Sequence, residues 1–283
     1  MRNKILNYVF ISISLILSRL SLATIHKLGE LIGVFSHWLK PKTKMVLVQN
    51  IIQSAIFADE NALKNAIKLN IHETGKTMLE SLVIWGSTQQ QVLGWVKAVH
   101  NIELITEAIN LKKGIIFLTP HIGAYEVASI YYASQRPLTI LYRPARKLWM
   151  NDLLISGRSK GQIKLAPTSI GGVKKLFMAL INGEAVGILP DQIASKGEGE
   201  WANFFNKPMY TMVLASKLAK KTGAVVIMAV AERLPKGQGF VLHLESLAPS
   251  NIDNTHLLNQ HIERQIKKFP LQYMWNYNRY KQP

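Results

Sequence analysis

Pro120-His121-Ile122-Gly123-Ala124-Tyr125-Glu126 is the segment whose residue types and spacing can do chemistry. An imidazole accepts and returns a proton near neutral pH. Gly123 lets the backbone turn sharply into a following helix. Glu126 then lies about one turn beyond His121, where its carboxylate can reach back to the ring. Such a pairing fixes the tautomer and stabilises the imidazolium. His121 is therefore expected to act as general base with Glu126 as its partner. The pair has no serine beside it, and needs none if the attacking hydroxyl belongs to a substrate. A histidine at a strand end is also a common structural hydrogen-bonder, so the motif alone supports both readings.

The elements around this segment decide where it sits. Gly114 to Thr119 is a short apolar run of β-forming residues, the pattern of a buried strand, and His121 follows it directly. Further strands are predicted over 138–142, 185–189, 224–231 and 240–244. Helices are predicted over 124–134, 173–182 and 212–222. This alternation implies an α/β fold, a mixed sheet flanked by helices. Ligands of such sheets bind beyond the carboxyl ends of the strands. Arg143, Arg146 and Lys147 follow the second strand and can hold phosphate, the arginines by bidentate contacts. Asp191 follows the third and can position an arginine or a substrate hydroxyl. Phe204 and Phe205 lie in a stretch with little secondary-structure signal, residues 192–210. They could line an acyl channel, dip into lipid or pack in the core.

Before residue 100 the texture is helical, without a strong strand. Leu28, Leu31, Ile32 and Phe35 recur at helix spacing, and further helices are predicted over 46–57, 61–70 and 71–85. Arg2 and Lys4 precede an apolar run from Ile5 to Leu17, and Arg19 follows. Residues 1–22 read as a short uncleaved anchor, an interfacial helix or a first core helix. The run is short for a span, which takes roughly 20 apolar residues. Residues 23–283 then form the catalytic domain with a helical N-terminal part.

The net charge of +17 marks a basic surface that seeks anionic partners. With no cysteine, thiol nucleophiles and Cys-based zinc sites are excluded. There is no HExxH, no second histidine near His121, and no GxSxG elbow of a serine hydrolase. Charge is the sole feature pointing to nucleic acid; no RNA- or DNA-binding motif accompanies it.

Taken in order along the chain, these residues resemble the late acyltransferases of lipid A biosynthesis, the lauroyl/myristoyl transferase family within the HxxxxD/E glycerolipid acyltransferases. The resemblance rests on the apolar N-terminus, Asn50-Ile51, Glu80 before Trp85, Pro120 to Glu126 and Tyr142-Arg143-Pro144. It continues through Asp191-Gln192, Phe204-Phe205, Thr222-Gly223-Ala224, Pro270 to Trp275, and Arg279. The chain departs from the family in Ala124-Tyr125, where Asn-Trp is usual, and in Asn206 for Gly.

The resemblance implies an enzyme of the bacterial inner membrane whose catalytic domain faces the cytoplasm. It implies transfer of a fatty acyl group from acyl carrier protein to a hydroxyl of a phosphorylated glycolipid acceptor, a lipid A precursor. His121 and Glu126 would be catalytic. Arg143, Arg146 and Asp191 would bind substrate. No cofactor, metal or nucleic acid is implied. The alternative within the same chemistry is an acyltransferase using acyl-CoA or acyl carrier protein thioesters on a lysophospholipid or other glycolipid.

Overall fold

The computed structural model describes residues 2–144 and 150–282. The N-terminal part is helical: α1 (Arg2–Leu17), α2 (Leu22–Leu39), α3 (Pro41–Ser54), α4 (Glu60–Gly86) and α5 (Gln89–Trp95). Side-chain caps fix several starts. Ser21 accepts from the Thr24 amide, Asp59 from Ala62, and Thr88 with Gln91 forms a capping box. The two helices predicted over 61–85 are one continuous α4, because nothing between Asn70 and Ile71 breaks the backbone ladder.

The remaining chain alternates β1 (Val96–His100), α6 (Glu103–Asn110), β2 (Ile115–Leu118), α7 (Glu126–Ala133), β3 (Leu138–Tyr142), α8 (Asn151–Arg158), β4 (Ile163–Pro167), α9 (Ile170–Ile181) and β5 (Ala185–Ile188). There follow β6 (Gly199–Phe204), β7 (Lys207–Met212), α10 (Leu214–Thr222), β8 (Val225–Arg233), β9 (Phe240–Leu247) and α11 (Thr255–Lys268). Seven strands form one sheet in the order β1-β9-β8-β2-β5-β3-β4. Every neighbouring pair is parallel except β8 and β9, so the sheet is mixed, as expected. β2 and β5 lie at its centre, and all four residues of each are buried. Apolar clusters cover both faces, one around Ile116, Val186 and Val226, the other around Phe117, Ile140 and Ile227.

Two expectations fail locally. A strand precedes residue 100: β1, a half-exposed edge strand with little apolar alternation to announce it. The weakly patterned stretch 192–210 holds most of the β6–β7 hairpin, closed by Phe205 and Asn206 at φ 46° and 59°. Positive φ at both central residues suits a two-residue hairpin turn, and asparagine tolerates it. Phe204 and Phe205 are both buried, stacked edge-on at 4.7 Å, so of their three readings core packing holds.

α2 is turned inside out relative to an ordinary amphipathic helix. Its buried face carries Ile25, His26, Gly29, Gly33 and His37. Leu31 (68% exposed), Phe35 and Trp38 (73%) point outward. The inward glycines allow near contact with α4: a Cβ on Gly75 would stand 2.0 Å from the Gly29 carbonyl oxygen. α1 lies against α4 and α8, with Ser14 Oγ donating to the Leu82 carbonyl at 2.6 Å and Asn7 Nδ2 to Asp152 at 3.1 Å. Among the described residues no helix is long and apolar enough to cross a membrane. α1 spans roughly 24 Å at 1.5 Å per residue.

A buried ion cluster ties these helices to the sheet. Arg233 at the end of β8 bonds Glu80 through Nε (2.6 Å) and Nη2 (2.5 Å), and also Glu73 and Thr77. His26 bonds the same Glu80 at 2.6 Å. Burial opposes the Glu80 charge, but the Arg233 guanidinium outweighs it and holds the carboxyl down at about 2.

Candidate active site

The central register brings the site together. Leu118 of β2 is aligned with Ile188 of β5 in parallel. His121 and Asp191 each stand three residues beyond that pair, on adjacent strands, over the same edge of the sheet. His121 Nδ1 donates to Asp191 Oδ1 at 2.8 Å, and the His121 backbone N–H donates to Oδ2 at 2.9 Å. Both carboxylate oxygens are thus spent on one residue. Burial by itself would raise the Asp191 carboxyl, but attraction to His121, with help from Arg279, holds it below the usual range. With Nδ1 bearing the proton, Nε2 presents a lone pair. The Gln192 amide meets it at 3.2 Å, a weak donor that a substrate hydroxyl can displace.

The loop carrying His121 is held on three sides. Thr119 N–H extends the ladder to the Ile188 carbonyl at 3.0 Å, and Ala124 N–H donates to Ala231 at 3.0 Å. Gly123 N–H donates to Gln272, and Met274 N–H to the His121 carbonyl, both at 3.0 Å. Gly123 sits at φ +59°, and a Cβ there would lie 2.1 Å from the Ala231 carbonyl oxygen. The C-terminal segment is clamped in turn by two buried asparagines. Asn50 donates to the Trp275 and Tyr277 carbonyls, and Asn70 to those of Leu271 and Tyr273.

Glu126 does not orient His121, contrary to expectation. It opens α7, and its carboxylate is taken by Arg158 at the end of α8: Nη2 to Oε1 at 2.5 Å, Nε to Oε1 at 2.9 Å and to Oε2 at 3.1 Å. The Nδ1 partner is Asp191, which was expected to bind substrate. A helix starting at Glu126 points its first side chain toward α8, whereas the strand register delivers Asp191 straight to the ring. Tyr125 links the two pairs. Its ring packs on His121 with centroids 4.7 Å apart, and desolvation pushes its hydroxyl pKa upward.

Arg143 follows β3 at the same edge and is exposed. Its field reaches the Tyr277 hydroxyl, as does that of Asp191, and that hydroxyl accepts from the Ile193 N–H at 3.3 Å. Arg146 lies outside the described residues. Arg158 carried no sequence signal, since α8 itself had none. Among the described residues no group of histidines and carboxylates is placed to hold a metal.

This arrangement is a buried Asp–His pair at the strand ends whose Nε2 meets only the Gln192 amide among the described residues, a base for a hydroxyl that arrives with a substrate. The family model described as bacterial lipid A biosynthesis acyltransferase matches residues 3–282. The chain belongs to that family. It is an acyltransferase.

It is similar to the lipid A biosynthesis lauroyltransferase of Escherichia coli (strain K12), 23% identical, over 98% of this chain and 91% of that protein. It is also 23% identical to the palmitoleoyltransferase of the same organism, over 75% of this chain and 70% of the relative. A lipid A biosynthesis acyltransferase of Haemophilus influenzae is 23% identical over 88% and 81%.

Proposed function

We propose that this acyltransferase moves a fatty acyl group from acyl carrier protein to a hydroxyl of a phosphorylated lipid A precursor at the inner membrane. His121 Nε2 takes the proton of the acceptor hydroxyl. The oxygen attacks the thioester carbonyl, the tetrahedral intermediate collapses, and the departing thiolate recovers the proton from Nε2. Asp191 keeps Nδ1 protonated and steadies the imidazolium. Glu126 acts through Arg158, holding a guanidinium beside Tyr125, where it offsets negative charge developing on the thioester oxygen. The observation that carries this reading is the 2.8 Å bond from His121 Nδ1 to a carboxylate that hydrogen-bonds no other side chain among the described residues.

Arg143, with Arg146, meets the acceptor phosphate at the rim. The outward apolar side chains of α1 and α2 support placement on a membrane surface, since so many exposed large hydrophobics on two successive helices suit an interaction site. Lys40, Lys42 and Lys44 at the end of α2 and the start of α3 suit anionic headgroups. An acidic carrier protein suits the +17 charge. The catalytic domain would face the cytoplasm, where such a carrier is found.

The test is acyl transfer in detergent with acyl carrier protein thioesters and an acylated, phosphorylated glucosamine disaccharide acceptor. His121→Ala should remove turnover while circular dichroism stays unchanged. Near-normal turnover in that variant would overturn the assignment.

A further inference from the structure

A cavity lies directly behind Tyr125, between α4 and the C-terminal segment, with a volume of about 130 Å³. One wall is a stripe of α4 carrying Thr74, Thr77, Met78 and Ser81; the other includes Met274 and Asn276. One end is lined by Tyr125, whose ring packs on that of His121. Met78, 48% exposed, gives the cleft its mouth.

The polar groups of this wall fall into two sets. Thr77 donates to the Glu73 carbonyl and accepts from Arg233, and Ser81 donates to the Thr77 carbonyl. Thr74 Oγ1 and Asn276 Oδ1 are buried and have no partner among the described residues. Thr74 is 7% exposed. Buried polar atoms without partners are costly and rare in folded chains, so a guest that completes them is the economical explanation. A bare alkyl chain would leave both unmet.

Spacing narrows the guest. Thr74 and Ser81 are seven residues apart on one helix, roughly 10 Å along its axis. A thioester of the pantetheine type carries two secondary amides on a thin chain. Its second amide lies seven bonds, about 9 Å extended, from the sulfur. Such an arm would place its thioester at the Tyr125 end, beside His121, and its second amide between Thr74 and Asn276. The threonine methyls and the two methionines would pack its methylenes.

We propose that this cleft receives the amide-bearing thioester arm of the acyl donor, with Thr74 and Asn276 reading the distal amide. The inference rests on the thioester donor named above and adds the site that holds it.

The experiment compares dodecanoyl thioesters of pantetheine, with two amides, and of N-acetylcysteamine, with one, in wild type, Thr74→Val and Asn276→Leu. Wild type should favour the longer arm. Thr74→Val should raise KM for the pantetheine thioester about tenfold and leave kcat and the N-acetylcysteamine reaction unchanged. Binding of S-dodecyl pantetheine, an unreactive thioether, should weaken in parallel without any turnover. Equal effects on both donors, or a shift in preferred acyl length in place of arm preference, would overturn the cleft assignment while leaving the reaction intact. Failure of the wild type to use any thioester would remove the proposed donor itself, and the cleft assignment with it.

Discussion

His121 and Asp191 are joined twice, once through the imidazole Nδ1 and once through the His121 backbone N–H, by the two oxygens of one carboxylate. The carboxylate therefore sets both the rotation of the ring and the path of the loop that carries it. Asp191→Asn keeps the size of the side chain but can donate to Nδ1, which drives the proton to Nε2 and removes the base. By the behaviour of other Asp–His pairs, kcat should fall by about 10³–10⁴ with the fold retained. A loss under tenfold in steady-state acyl transfer would return Asp191 to a structural role.

Glu126 and Arg158 should behave as one unit. Glu126→Gln leaves the guanidinium, sheathed by Trp85 and Tyr125, without its counter-charge. Arg158→Gln leaves the carboxylate in the same position. Each single variant should lose about 10–100-fold in kcat/KM, and the double variant should lose little more than either, a coupling of at least about 1 kcal/mol. Strict additivity would separate the two residues. A shifted pH–rate profile in Glu126→Gln together with an unaffected Arg158→Gln would restore Glu126 as a direct partner of His121.

The sequence shows why Asp191 and Glu126 were hard to rank beforehand. Both are acids near the same strand edge, and Glu126 is closer in sequence. What separates them is the pairing of β2 with β5, whose last members Leu118 and Ile188 are 70 positions apart in sequence, and register between distant strands leaves no local trace. The central strands were legible because continuous apolar runs announce burial on both faces. β1 was not, because an edge strand with two exposed residues lacks that pattern. α8 and Arg158 were invisible for a related reason: an eight-residue helix of mixed polarity has too little periodicity to stand out. The α2 stripe was seen but not its direction. Leu28, Leu31, Ile32 and Phe35 mark an apolar face equally well whether it meets a core or a lipid surface, and only the glycine contacts with α4 tell which way it points.

That outward stripe makes a direct prediction. Leu31→Asp and Trp38→Asp alter largely exposed side chains, Trp38 giving up only its stack on the likewise exposed Phe35, so stability should hold. Each removes an inserting group worth about 1.5–3 kcal/mol, so binding to vesicles of phosphatidylglycerol and phosphatidylethanolamine should weaken about 10–100-fold. Replacing Lys40, Lys42 and Lys44 with Gln should instead weaken binding most at low salt. Flotation of the two Asp variants with vesicles as complete as the wild type would move the membrane contact elsewhere on the molecule.

Glu80 gives the last prediction, on stability. Its carboxyl is held at about 2 in the folded protein by Arg233, with His26 bonded to Oε1, the oxygen that Arg233 Nε also meets. An unfolded glutamate titrates near 4.3. The folded state thus binds fewer protons than the unfolded state between these values. The stabilisation is complete above roughly pH 5 and fades as pH falls toward 2. Glu80→Gln removes it and strands Arg233 against Glu73 alone, so the variant should be about 3–5 kcal/mol less stable at pH 7. Its denaturant midpoint should then vary less with pH between 5 and 2.5 than that of the wild type. Urea titrations across that range measure both quantities. Parallel pH profiles for the two proteins would mean that Glu80 is not ionised against Arg233 in the folded chain.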